Sequence, residues 1–233
     1  MADRVGRIGH AYGDLASGRL DDDINLYAYG YNDGVNKTDP TGTSCQTSTD
    51  DKNHRTATSC KVDVNRDALV KKYGETAVRR LESAYKDAVN KLLARAADAN
   101  GDDSETLVVD KRDSSGNATG ETTSAQVSAL TTANNLISRE VSYNPGSSLI
   151  MGTSNTNENR MFVGGGIGPL MNPSWYDTAM GRDTYKGMMR AWAHEGMHTA
   201  SVHEQLGPRD TWEPGHDPQF NQAAWRLLRL TYP

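Results

Sequence analysis

Between residues 65 and 100 the apolar positions recur at helical spacing. Val70, Ala77, Leu81, Tyr85, Ala88 and Leu92 share one stripe, and Lys, Arg, Asp and Glu fill the rest. This predicts one long amphipathic scaffold helix, capped by Asn65 and stopped at Asn100-Gly101, where a left-handed residue ends a helix cheaply. Leu107, Val108 and Val109 mark a short strand over 106–110, and the turn-rich 113–120 stretch reads as a hairpin or an exposed loop. A second amphipathic helix is expected from near Ser124 to Val141, with Val127, Leu130, Ile137 and Val141 inward. After the turn at Asn144-Pro145-Gly146, 148–152 and 160–164 read as strands around a polar loop, 153–159.

The last third of the chain has a different texture. Tyr185, Met188, Met189 and Trp192 are apolar enough for a buried helix, capped by Asp183 and stopped by Gly207-Pro208. A final helix is expected from Asp217-Pro218, an N-cap followed by a proline at the first helical position, with Phe220, Ala224, Leu227 and Leu228 inward. Residues 44–63, rich in Ser, Thr and Asp, read as a linker. Their Cys45 and Cys60 are the only cysteines of the chain. The spacing allows either a disulfide-closed loop or two free thiols, and it lacks the pairing of a zinc ribbon.

Composition narrows the function. The 233 residues carry a net charge of −5, which argues against a nucleic-acid surface, since that needs clustered Lys and Arg. No apolar run reaches membrane-spanning length, and the N-terminus has no signal-peptide core. A modest apolar fraction (36%) with 22 Gly predicts extensive loops. Residues 64–233 are nevertheless enough to bury a core.

The chemistry concentrates in Trp192-Ala193-His194-Glu195-Gly196-Met197-His198. On a helix, residues four apart share a face, so His194 and His198 can both reach one ion. Zinc takes imidazole nitrogen and, at a catalytic site, leaves a position open for water. Glu195, one residue round the helix, stands beside the metal as a general base and then acid. If the helix runs to Leu206, His203 lies about 140° round from His198 and Glu204 about 100° from the ligand face, at ~100° per residue. A third ligand is then expected beyond Gly207, among Asp210, Glu213, His216 and Asp217. His216 is favoured because the helix start behind it holds it firmly. His203, Tyr176 and Tyr185 are unranked candidates for stabilising an oxyanion. Met161-Phe162-Val163, followed by Gly164, Gly165 and Gly166, reads either as a structural strand or as the cleft edge that pairs with a substrate backbone. No Gly-Lys-Ser/Thr follows these glycines, so they form no phosphate loop.

Two resemblances add to this. Gly18-Arg19-Leu20, Ile24-Asn25-Leu26-Tyr27-Ala28-Tyr29, Asn32, Val35-Asn36 and Asp39-Pro40-Thr41-Gly42 resemble the end of the Rhs/YD-repeat core. Thr43 stands where that family has Leu, and Asp21, Asp22 and Asp23 occupy the region of its first Asp-Pro motif. In that family a large β-shell closes here and a variable C-terminal toxin follows. The resemblance implies delivery into a target cell by a secretion system, a parent Rhs shell and a cognate immunity protein. Gly215-His216-Asp217-Pro218-Gln219-Phe220 is similar to the segment that supplies the third histidine in several small bacterial HExxH metalloproteases. Together these imply three regions: the end of an Rhs core over 1–43, the linker 44–63 and a toxin domain over 64–233. The toxin would be an α+β, zincin-like metallopeptidase with a helical scaffold, a small antiparallel sheet and an HExxH helix. Its zinc ligands would be His194, His198 and His216, with Glu195 as base and a protein or peptide as substrate. A metal-dependent nuclease and a non-catalytic binding tip are the alternatives.

Overall fold

Tyr85 sits at the centre of the fold, and the reason is the stripe that contains it. In the computed structural model, which describes residues 44–98, 103–153, 160–173, 178–213 and 215–230, the helix around it runs from Glu75 to Ala96. Ala77, Leu81, Tyr85, Ala88 and Leu92 are all buried along it. Each large apolar side chain contributes about 1.5–3 kcal/mol on leaving water. Tyr85 stacks on Trp192 with ring centroids 4.1 Å apart, and its hydroxyl donates to the Leu136 carbonyl at 2.5 Å.

In chain order the elements are β1 (Cys45–Thr49), β2 (Arg55–Cys60), α1 (Arg66–Tyr73), α2 (Glu75–Ala96), β3 (Ser104–Arg112), β4 (Ala118–Ser128) and α3 (Ala129–Ser138). Then come β5 (Glu140–Asn144), β6 (Met151–Thr153), β7 (Arg160–Gly164), α4 (Ala179–Met197), α5 (Ala200–Leu206) and α6 (Asp217–Leu227). This is an α+β arrangement in which α2 packs against α3, α4 and β2. No helix among the described residues is long and apolar enough to cross a membrane. Residues 1–43, where the Rhs resemblance falls, lie outside the described residues.

Several elements differ from their reading in the sequence. The single helix expected over 65–100 is two, because Gly74 takes φ 86° between α1 and α2. Asn65 does not cap α1 with its side chain; it takes φ 61°, and its amide donates to the Tyr143 carbonyl. The helix expected over 124–141 is only Ala129–Ser138, with strand on either side. Leu107, Val109, Ala125 and Val127 are buried on one face of the β3–β4 hairpin while Val108 is exposed. The burial period at 125–127 is two, that of a strand, rather than one near four. Leu130 points outward rather than inward.

Residues 44–63, read as a linker, contain the β1–β2 hairpin closed by a Cys45–Cys60 disulfide. Their polar composition misleads because the hairpin is recognised by a polar side chain. Asn90 of α2 accepts from the Ala57 amide at 2.6 Å and donates to the Ala57 carbonyl at 3.1 Å.

The sheet beside the helices has the order β5-β7-β6, parallel on one side and antiparallel on the other, so it is mixed rather than antiparallel. Gly164 and Gly166 let the 147–150 loop lie directly against β7. A Cβ at either would sit 2.1 Å and 2.2 Å from the carbonyls of Leu149 and Ser148.

Candidate metal centre

Helix α4 begins before Asp183, the expected cap, and ends at Met197, well short of Gly207. Thr199 starts a new helix, its hydroxyl accepting from the Val202 amide at 3.2 Å. The turn at the break is held from outside. Arg139, fully buried, donates to the carbonyls of Glu195 (2.8 Å) and His198, and Asn135 donates to those of Gly196 (2.8 Å) and His198 (3.3 Å). Gly196 is what lets α3 come so close. A Cβ there would lie 2.7 Å from Leu136 and 2.9 Å from Thr132. These contacts satisfy the carbonyls that any helix leaves unpaired at its C-terminus.

His194 and His198 leave this helix end on one side, and His216 reaches them from the start of α6. One nitrogen from each of the three lies within 4.8 Å of the others, so the cluster could hold a metal ion. Ring centroids stand 5.1–5.4 Å apart. The orientation of each ring is set at Nδ1. His194 Nδ1 donates to Asn221 Oδ1 at 3.0 Å, and His216 Nδ1 donates to the Glu213 carbonyl. His198 Nδ1 meets His203 Nε2 at 3.1 Å.

Burial pushes the pKa of all three ligand candidates down, that of His198 well below the usual imidazole range, with the neighbouring imidazoles adding to its shift. They are therefore neutral at pH 7. With Nδ1 of His194 and His216 spent on acceptors, their Nε2 atoms carry lone pairs into the cluster. His216 Nε2 is buried with no hydrogen-bond partner. Converging lone pairs and an orphaned buried nitrogen are what a cation would satisfy, so the residues fit a metal.

Glu195 flanks the cluster, with Oε1 at 4.0 Å from His194 Nε2. Its other oxygen accepts from the Thr153 hydroxyl at 2.9 Å, and Thr153 in turn accepts from Arg139 at 3.1 Å. Burial raises the Glu195 carboxyl to about 7, against the opposing pull of the Thr153 hydrogen bond and Arg139. A cleft of about 870 Å³ opens over these groups, lined among others by Leu149, Ile150, Phe162 and Arg190.

Phe220 and Trp212 wall the far side. Phe220 stacks on His198 at 4.7 Å, and Trp212 lies parallel to Phe220 at 5.8 Å. The structure thus brings together His194, Glu195, His198 and His216. Met161, Phe162 and Val163 are not the cleft edge, because β7 is the middle strand, paired on both sides over those residues. Both outer strands line the cleft, but β5 is paired outward with Val64, while among the described residues β6 pairs only with β7.

The Tyr185 hydroxyl donates to Asp87 at 2.7 Å, and Tyr176 lies outside the described residues. An unbroken helix would turn His203, excluded on that ground as a ligand, away from His198; the break after Met197 instead brings its Nε2 to His198 Nδ1. Thr153, Arg139, Asn135 and Asn221 had no signal in the sequence, since none stands near the motif. Comparison with family models, curated proteins and solved structures found no match to this chain.

Proposed function

We propose that this chain is a zinc metallopeptidase of zincin-like plan. The observation that carries the reading is the meeting of three neutral imidazoles with one buried carboxylate on the floor of a cleft. Three imidazole nitrogens with a remaining open position suit zinc. When bound, zinc supplies Lewis acidity to the attacking water and to the scissile carbonyl. Glu195 takes the proton of that water as its oxygen bonds to the carbonyl carbon. It then delivers the proton to the amine nitrogen as the carbon–nitrogen bond breaks. Thr153 keeps one Glu195 oxygen occupied, which leaves Oε1 on the side of the imidazoles. β6 offers its outer edge to an extended substrate backbone, a general mode of peptide binding.

The Rhs-like lead-in supports a delivered effector toxin, released into a target cell and neutralised there by an immunity protein that covers the cleft. Metal analysis of wild type beside Glu195→Gln, with toxicity measured in the same strains, tests the reading. Both proteins should hold about one zinc per chain, and the variant should lose several orders of magnitude in turnover. Equal toxicity would remove hydrolysis by Glu195 from the account. Degradation of nucleic acid by the metal-loaded protein would replace a peptidase with a nuclease. Stoichiometric metal with no target protein lost would leave a binding tip.

A further inference from the structure

A second carboxylate stands at the same centre without a role in the reaction just described. Asp217 Oδ1 lies 3.8 Å from His194 Nε2 and 3.7 Å from His216 Nε2. In a tetrahedral site with bonds of about 2.0–2.2 Å, neighbouring ligand atoms are roughly 3.3–3.6 Å apart. Asp217 is therefore within a few tenths of an ångström of ligand spacing from two of the three nitrogens. Its backbone is held at the start of α6, directly after His216 and before Pro218.

Glu195 lies at a similar distance, yet the two carboxylates are placed oppositely. The Glu195 side chain is 10% exposed and tied to Thr153, while that of Asp217 is 71% exposed. A buried carboxylate has nowhere to go, because leaving its partners costs the full desolvation of an ion. An exposed one can leave the imidazoles and be solvated at once.

We infer that Asp217 is a displaceable fourth ligand. Its carboxylate completes the His194–His198–His216 set in the resting protein and moves into solvent when substrate enters and the attacking water takes that position. The inference rests on the metal-centre reading above. It adds a resting state in which the open position is guarded by the chain itself. It also gives the neighbouring residues His216 and Asp217 separate duties, one permanent and one exchangeable.

The test loads wild type, Asp217→Asn and Asp217→Ala with Co²⁺ and records the visible absorption, with zinc affinity measured by chelator competition. Both variants should change the cobalt spectrum and lose at least ~10-fold in zinc affinity, a loss already seen when outer-shell partners of metal ligands are removed. Acetate added to Asp217→Ala should return the spectrum toward that of wild type. Cobalt spectra of both variants superimposable on wild type would overturn the inference, whatever happens to affinity, because a distant charge alters affinity without altering coordination. Asp217 also lies in the first turn of α6, so thermal midpoints of the metal-free proteins separate a loss of helix stability from a loss of ligation. His194→Ala serves as the control for the underlying reading. If that variant binds cobalt as wild type does, the metal centre itself is misplaced, and not merely the part given to Asp217.

Discussion

Helices α2 and α4 are the two long helices of the core, and they bury different things. α2 is apolar along its inner face, and the two charged groups it buries are matched by opposite charge. Glu82 accepts from Arg66 at 2.8 Å and from the Val62 amide at 3.1 Å. Arg95 donates to Glu105 at 3.1 Å and to the Arg226 carbonyl at 2.9 Å. α4 begins in the same way, with Met188, Met189 and Trp192 buried, and then buries His194 and Glu195 near its end, with His198 just beyond.

Here the polar groups are matched only on their outer sides. Toward each other the imidazoles present acceptors, and acceptors do not satisfy acceptors. Burial without a partner costs more than a hydrogen bond returns, and a stretch built this way is one that a metal ion could complete. The difference teaches how to separate a structural from a functional buried charge: one is closed by the chain, the other is left open by it.

Breaking the comparison at α4 should have the largest effect. His194→Ala should lose both the bound metal, read by elemental analysis, and toxicity, while the metal-free protein melts near wild type. Metal retained at full occupancy would place the centre elsewhere. On α2, Leu81→Ala should do the reverse. It removes a fully buried side chain and should cost about 2–5 kcal/mol in denaturant unfolding. Its metal content should stay that of wild type, and a parallel loss of metal would erase the contrast between the helices.

Arg139→Ala probes the cap that joins the two behaviours. It removes one donor from each of the carbonyls of Glu195 and His198, which keep the His198 amide and Asn135 at 3.3 Å, at about 1.5–3 kcal/mol for each hydrogen bond lost from a charged group. It also removes the donor that steadies Thr153. Unchanged stability would mean that water replaces the guanidinium. His203→Ala should lower zinc affinity by ~10–100-fold with little change in stability, as loss of an outer partner of a ligand does. Affinity equal to wild type would reduce the His198–His203 contact to packing.

The smallest effect belongs to Glu75 and the two arginines that hold it, Arg66 and Arg79. Arg66 and then Arg79 hold the Glu75 carboxyl down from 4.5 to about 2. A depressed carboxylate adds stability that is present above about pH 4.5 and lost as pH falls toward 2. Thermal midpoints measured between pH 5 and pH 2 should therefore fall less steeply in Glu75→Gln than in wild type. Identical slopes would assign acid sensitivity to other groups.

Local spacing carries a good part of this fold. The α2 stripe, the strand at 107–109 and the hairpin turn after it follow from periods that neighbouring residues set. So does the pairing of His194 with His198, because four residues on a helix is a fixed distance. His216 was within reach of the same reasoning, since Asp217-Pro218 marks a helix start and a helix start holds the residue before it in place.

The rest depends on contacts between elements distant in the chain. Gly74 and Thr199 break helices that local pattern would continue, because the chain must turn to keep both sides of each break buried. Residues 124–128 pair with β3 rather than start the expected helix, since the partner strand satisfies their backbone. β7 is central rather than an edge, which no strand's own sequence reveals. Arg139, Thr153 and Asn221 reach the site from three separate stretches of the chain. Their roles arise because buried carbonyls, a buried carboxylate and an imidazole nitrogen each need a partner, and folding alone determines which side chain is there to supply it.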